Sequence, residues 1–528
     1  MKQLLLGDEA IAQGAIDAGI SGIYAYPGTP STEIMEYIQK SEPGNNGSIH
    51  CKWSTNEKTA VEEALGMSYA GKRSIVCMKH VGLNVAADAF INAAMTGVNG
   101  GMIVVSADDP SMHSSQNEQD SRFYGKFAMV PVLEPSNQQE AYDMVRYGFD
   151  LSEKLQTPVL FRITTRLAHS RTGLEVKAPR KQNVLRMPQN TNQFILLPAN
   201  ARVRNKRLIN LQNDFILETE NNNNVSYFDG ADKSRGIIAC GLAYNYLMES
   251  YAGDGCPFPV VKICQYPFSV KHIQTLMHTC KEILVLEEGF PFVEEQLRGL
   301  IETGTKIKGR MTGEVPRDGE LNPTIVAKAL GKETSSAFQV PTVVVNRPPA
   351  LCKGCSHIDM YNAVVEATSS MLGHRVFSDI GCYTLGALPP YNAIHTCVDM
   401  GASITMAKGA ADAGVWPAIA VIGDSTFTHS GMTGLLDAIL ENTDITVIIS
   451  DNSTTGMTGG QPSAATNRLE QICKGLGVDP AHILTIVPLK KNHEENVQIM
   501  RNEINYEGVS VIISQRECIQ TSARKHRN

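Results

Sequence analysis

IAVIGDSTFTHSGMTGLLDAILENTDITVIISDN, residues 419–452, decides the fold. IAVIGD is an apolar run of strand length, and ITVIISDN is a second. Between them HSGMTGLLDAILEN reads as a helix, with Leu435, Leu436, Ile439 and Leu440 expected on one buried face. Strand, helix, strand in this order makes a βαβ unit, so both strands run parallel and end at the same edge of the sheet. Asp424 and Asn452, 28 positions apart, close the two runs. Ligands of open α/β sheets bind at that edge. A carboxylate, a side-chain amide and a main-chain carbonyl from about Thr454, in the turn NSTTG, form an all-oxygen set suited to Mg²⁺ or Ca²⁺. Either residue alone is as readily a turn former capping a strand. The pair on adjacent parallel strands favours the metal.

Outward from this unit, the same alternation covers most of the chain. EAIAQGAIDAG reads as a helix and GIYAYP as a short strand; the turn PGTPST leads into the helix TEIMEYIQK, with Ser31 or Thr32 as its N-cap. SIVCMKH, GMIVVSADD and QTPVLFRIT are further strands, and continuous apolar runs of this kind suit parallel sheets covered on both faces. A first unit therefore spans 1–170. Residues 171–230, basic in RTGLEVKAPRK and then polar through NLQNDFILETENNNN, form a linker with one or two helices. A second unit, 231–335, contains GIIACG, AYNYLMESY, EILVLEEG and VEEQLRGL; SSAFQVPTVVVNRPP reads as another linker, and the last unit spans 349–528. The expected fold class is α/β, with three domains and mainly parallel sheets.

Composition sets the class of protein. The chain has 528 residues, 42% hydrophobic and 19% charged, with 44 glycines, as expected for a globular protein of about three domains. A net charge of −7 gives no footprint for nucleic acid. No run of 18 apolar residues is free of charges or turn formers, and MKQLLLGDEAIAQG turns acidic too soon for a signal peptide, so no membrane partner is expected. Twelve cysteines are too dilute for a disulfide scaffold in a chain this long, and a cytoplasmic enzyme is expected. LCKGCSH places Cys352 and Cys355 at C-x-x-C spacing; Cys382 follows in SDIGCYT and Cys518 in QRECIQ. Four thiolates suit Zn²⁺ or a [4Fe–4S] cluster, or stay inert. A zinc ribbon usually shows a second C-x-x-C pair, and this sequence has none. The other eight, Cys397 among them, read as small packing residues.

GDSTFTHSG with DNSTTGMTGGQPS resembles the thiamine diphosphate signature of GDG followed some 25 residues later by Asn, with Ser425 in place of the last glycine and Asp451 in place of an Asn. These blocks, together with SDIGCYTLGALPPYNAIHTCVDMGASI, MKHVGLNVAAD and SADDPSMHSSQNEQDSR, resemble the large (α) subunit of indolepyruvate:ferredoxin oxidoreductases, from YPGTPS to QREC but weakly over 175–230. The resemblance implies a pyrimidine-binding thiamine domain at 1–170, a transketolase C-terminal-like domain at 231–335 and a diphosphate-binding domain at 349–528. It assigns Glu57 the catalytic contact with the aminopyrimidine ring, a position that reads on its own as a carboxylate at a helix N-terminus. Thr29 is implied to face the substrate. Gly423, Asp424, Ser425, Asn452 and Thr454 are implied to hold thiamine diphosphate and Mg²⁺, and Cys352, Cys355, Cys382 and Cys518 a [4Fe–4S] cluster. His80, His113, Arg122 and His429 fall in the matching blocks with no step assigned.

The activity this implies is oxidative decarboxylation of aryl 2-oxo acids, of the indolepyruvate and phenylpyruvate type, to aryl-acetyl-CoA. Its partners would be a small β subunit, ferredoxin and coenzyme A, in a dimer of heterodimers. A non-oxidative thiamine decarboxylase or carboligase shares the metal motif but has no use for four cysteines. A cofactor-binding subunit without chemistry of its own is the third reading, which Glu57 and Asp424 disfavour. Family members commonly carry a C-terminal ferredoxin-like domain; ten residues follow Cys518, so that domain is expected to be missing, and the electron exit is expected to differ or to be supplied by another chain. Lys353, inside the cysteine pair, and His357, just after it, are expected to give the docking surface a basic character that favours an acidic partner.

Overall fold

The computed structural model describes residues 2–190, 192–251, 255–299, 304–334, 340–345 and 349–525. Two compact units divide the chain, Met1–Phe338 and Gln339–Asn528. The first contains two large sheets. One has seven strands in the order Gln265–Tyr266, Val132–Leu133, Val159–Thr164, Met102–Asp108, Ser74–Lys79, Gly22–Ala25, His50–Trp53. All neighbours run parallel except Gln265–Tyr266, which pairs antiparallel with Val132–Leu133. The other has five strands, Lys306–Lys308, Glu282–Leu286, Gly236–Cys240, Val260–Ile263 and Val225–Phe228, with only the last pair antiparallel. The segment expected to be a linker contributes more than connection. Arg171–Glu175 pairs with Lys2–Leu6, Pro198–Asn221 is one long helix, and Val225–Phe228 completes the second sheet. Of the second expected linker, 335–339 and 346–348 lie outside the described residues.

Buried charge joins the two sheets of the first unit. Arg122 Nη1 donates to Glu287 Oε2 at 2.9 Å and Nη2 to the carbonyls of Glu288 and Phe290, while its Nε reaches Asp120. Arg162 Nε donates to Asp108 Oδ2 at 2.6 Å and Nη2 to the Glu288 carbonyl. Both guanidiniums are fully buried, a position made tolerable by the carboxylates and main-chain carbonyls around them, with Arg162 Nη1 also paired to Glu134. Arg122 therefore has a structural task.

The second unit is built on five parallel strands in the order Arg375–Ser378, Ala418–Gly423, Ile445–Asp451, Val509–Gln515, Ile483–Ile486. Ala418–Gly423 and Ile445–Asp451 are buried along their whole length, the reason their sequences are unbroken apolar runs. The expected helix between them begins earlier, at Asp424, passes through a wide turn at Phe427–Gly431 and continues as Met432–Leu440. Its buried face differs from the expected one. Gly434, Leu435 and Ala438 are buried, but Leu436 is 39% exposed and Leu440 75%. Small residues line the interface because the neighbouring helix, Ala402–Asp412, approaches closely: a Cβ on Gly434 would lie 2.8 Å from Thr405 Cγ2.

Candidate functional site

Strand register puts Gly423 beside Ser450, so Asp424 and the turn 451–454 leave the sheet together at its carboxyl edge. Asp424 is 2% exposed, and its Oδ2 has no hydrogen-bond partner. Burial pushes this carboxyl up to about 7, with the nearby Asp451 adding to the shift. Asp451 itself shapes the turn: Oδ1 accepts the Ser453 N–H at 2.9 Å and Oδ2 accepts Gln515 Nε2 at 2.8 Å. Asn452, also buried, accepts the Thr454 N–H on Oδ1 at 3.1 Å, which leaves that oxygen a second lone pair. Thr454 is fixed by Oγ1 donating to the Gln461 carbonyl, and Ser425 Oγ lies 2.9 Å from Thr455 Oγ1. Gly423 is required by packing, since a Cβ there would sit 2.5 Å from the Tyr383 ring. Tyr383 hydrogen-bonds Asp379, a buried carboxyl whose desolvation raises it to about 6 against the pull of Ser403 and Tyr383. An orphaned buried carboxylate oxygen with an amide oxygen next to it on the same edge fits a hard dication and a diphosphate.

The four cysteines converge on this same edge. The C-terminal segment ties them together: Cys518 N–H donates to the Asn452 carbonyl at 3.0 Å and Arg516 N–H to the Asp451 carbonyl at 2.9 Å. Arg516 Nη2 also donates to the Gly354 carbonyl, inside the C-x-x-C loop. Gly354 has φ +81, and a Cβ there would lie 3.1 Å from Ile519 Cδ1. Cys382 Sγ would be 3.2 Å from a Cβ on Gly456, four residues past Asn452. Burial pushes the Cys382 thiol up to about 12, and Cys355, Cys518 and Cys352 each raise it further. Cys355 is raised first by burial and then by Cys352 and Cys518, partly offset by Arg516. Among the described residues only Asp8, Glu33 and His169 bring three potential donor atoms within 4.8 Å of one another, so no three of these thiols are that close. Tetrahedral zinc, with Zn–S bonds of about 2.3 Å, holds sulfurs about 3.8 Å apart. Once deprotonated, thiols gathered on one edge could instead ligate an iron–sulfur cluster interposed between them.

In the first unit, Glu57 opens the helix Glu57–Tyr69, whose N-cap Asn56 accepts the Thr59 N–H at 2.8 Å. The Glu57 side chain is buried against Gly82: a Cβ at that glycine would meet Oε1 at 2.5 Å. Thr29 lies in the loop after Gly22–Ala25, and its carbonyl accepts Ser114 Oγ at 3.4 Å. Lys79, which ends Ser74–Lys79 on the same edge, donates to Ser114 O and Oγ. Burial depresses its ammonium to about 8 despite Asp109. Glu62 and Glu63 pair with Lys58 and Lys52, at the helix surface.

Several expectations change. His357 is buried, 1% exposed, and burial lowers it to about 4, so it adds no positive charge beside Lys353. Cys397 is exposed rather than packed. His80 is buried with neither ring nitrogen partnered, and His113 reaches Glu320 at 3.2 Å. Sequence reading missed Asp379, Tyr383 and Lys79, whose roles rest on contacts no motif records. No described helix is long and apolar enough to cross a membrane.

A family model described as pyruvate flavodoxin/ferredoxin oxidoreductase, thiamine diP-binding, matches residues 13–220. Another, the C-terminal TPP-binding domain of thiamine pyrophosphate enzymes, matches 379–513. Fold and site thus define a thiamine diphosphate-dependent 2-oxo acid oxidoreductase, of which this chain is the catalytic subunit. The chain is 38% identical over 556 residues to indolepyruvate oxidoreductase subunit IorA of Archaeoglobus fulgidus, covering 100% of this chain and 88% of that one. With the subunit IorA of Methanothermobacter thermautotrophicus it shares 36% over 547 residues, 99% and 87% of the two chains. It belongs to the family of indolepyruvate oxidoreductase subunit IorA. The solved 2-oxoglutarate:ferredoxin oxidoreductase from Magnetococcus marinus, at TM-score 0.50 and 19% identity over 62% of this chain and 65% of that one, shares the fold.

Proposed function

We propose that this subunit oxidises aryl 2-oxo acids of the indolepyruvate and phenylpyruvate type, with loss of CO₂ and transfer of the acyl group to coenzyme A. The two electrons released leave singly through a [4Fe–4S] cluster to ferredoxin, and the reaction reverses when reduced ferredoxin is in excess. One observation carries this reading: Cys382 and Cys518 stand against the Asn452 turn, next to Asp424. An electron acceptor placed there is what a non-oxidative decarboxylase would not need.

Bound thiamine diphosphate supplies a carbon nucleophile for the keto group and an electron sink for the loss of CO₂. Asp424, Asn452 and the Thr454 carbonyl would hold Mg²⁺, with Gly423 and Ser425 beside the diphosphate. Glu57, buried and set on Gly82, would hold and return a proton at the aminopyrimidine ring. Thr29 would hydrogen-bond the substrate. Cys352, Cys355, Cys382 and Cys518 would ligate the cluster. The three segments 1–170, 231–335 and 349–528 would serve as pyrimidine-binding, transketolase C-terminal-like and diphosphate-binding domains. A small β subunit completes the enzyme, as a dimer of heterodimers in the cytoplasm.

The test is anaerobic purification with that subunit, followed by iron analysis and viologen reduction. About four irons per chain are expected for Cys₄ ligation, unchanged in Cys397→Ala, with reduction dependent on both an aryl pyruvate and coenzyme A. Stoichiometric zinc without iron, or aldehyde release with no acceptor reduced, would overturn the proposal.

A further inference from the structure

His357 is the second residue of the helix Ser356–Thr368 and follows Cys355 by two positions. Its Nδ1 lies 2.9 Å from Ser450 Oγ, while Nε2 is buried without a partner. A buried imidazole nitrogen left unpaired forfeits a hydrogen bond that water would have supplied, so it points to a missing ligand. Its surroundings say which. Ser450 pairs in register with Gly423, the residue before Asp424. The imidazole meets the Tyr383 ring edge to face, with centroids 6.2 Å apart at 80°, and Tyr383 in turn covers Gly423. His357 therefore shares one neighbourhood with Asp424, whose Oδ2 is likewise orphaned. His357 also lies in the first turn of a 13-residue helix, the end whose dipole favours an anion.

We infer that His357 Nε2–H donates a hydrogen bond to the diphosphate of the bound cofactor, with Ser450 donating to Nδ1 and so fixing the tautomer. Asp424 then recruits the cation and His357 the anion of one Mg²⁺–diphosphate group. This rests on the second unit binding that group, and the two ideas fail separately.

Calorimetry on the anaerobically prepared complex, with Mg²⁺ and either thiamine diphosphate or inorganic pyrophosphate, tests it. His357→Phe is expected to weaken both ligands at least tenfold with iron content and circular dichroism unchanged. His357→Gln, which retains a donor amide, should recover most of that loss. Ser450→Ala, which removes only the hydroxyl, should weaken pyrophosphate severalfold and serves if the ring variants do not fold. Wild type that binds neither ligand would remove the site reading itself. Wild type that binds both, with folded His357→Phe or Ser450→Ala binding equally well, would overturn the His357 assignment and leave Nε2 to a buried water.

Discussion

Burial raises the Asp424 carboxyl to about 7, and this single value links pH to cofactor binding. In the cofactor-free protein a raised carboxyl means that folding favours its protonated form. The stability this brings is complete below about pH 4 and is lost as pH rises through about 7. The Mg²⁺ proposed to bind there would have to displace that proton. Affinity for Mg²⁺–thiamine diphosphate is therefore expected to rise about tenfold per pH unit below 7 and to level off above it. Calorimetry in buffers of different ionisation enthalpy should register close to one proton released at about pH 6; no release would contradict the assignment. Asp424→Ala should abolish binding, since two neutral oxygens remain to face a dication. Glu57→Gln should bind the cofactor nearly normally yet slow proton exchange at its reactive carbon by at least about a hundredfold. Unchanged exchange would sink that role for Glu57. Asp424 and Asn452 were legible in the sequence because each directly follows a run of strand-forming apolar residues. His357 was not: its neighbour Lys353 is exposed, and only the fold reveals that Ser450 closes over the ring.

Local elements were legible where large apolar residues mark the buried side and illegible where small ones do. The strands of the central βαβ unit were plain from IAVIG and ITVIIS, whereas the helix between them buries Gly434 and Ala438 and exposes Leu440. Close helix approach, which selects the smallest side chains, leaves no apolar stripe to read. The same close approach governs Gly82, where helix backbone rests on the Glu57 carboxylate. Gly82→Ala should push Glu57 aside and lower turnover at least about tenfold, because the proton transfer proposed for Glu57 tolerates little misplacement. Gly66, in the helix that begins with Glu57, has nothing within 4 Å of a Cβ. Gly66→Ala should instead leave turnover unchanged and raise stability by about 0.5–1 kcal/mol through helix propensity. Equal turnover in both variants would show that the Glu57 position does not matter.

Across the molecule, the α/β class and the parallel sheets followed from runs of apolar residues, but the antiparallel edges did not. Gln265–Tyr266 is two residues long and Val225–Phe228 ends a segment that reads as polar linker, too little pattern for either to declare itself. Cysteine spacing likewise left zinc and a cluster open, because the fold, not the spacing, brings Cys518 across the C-x-x-C loop and Cys382 against Gly456. The proposed function needs an electron acceptor at this edge, and that is the central claim about how this subunit works. Its most direct test is electron paramagnetic resonance of the anaerobic complex with its small subunit, loaded with Mg²⁺ and thiamine diphosphate and mixed with indolepyruvate. The account predicts that the substrate alone reduces a [4Fe–4S] cluster, giving a signal that is lost in Cys382→Ser and in Asp424→Ala. Indole-acetaldehyde released from wild type while an intact cluster stays oxidised would contradict it.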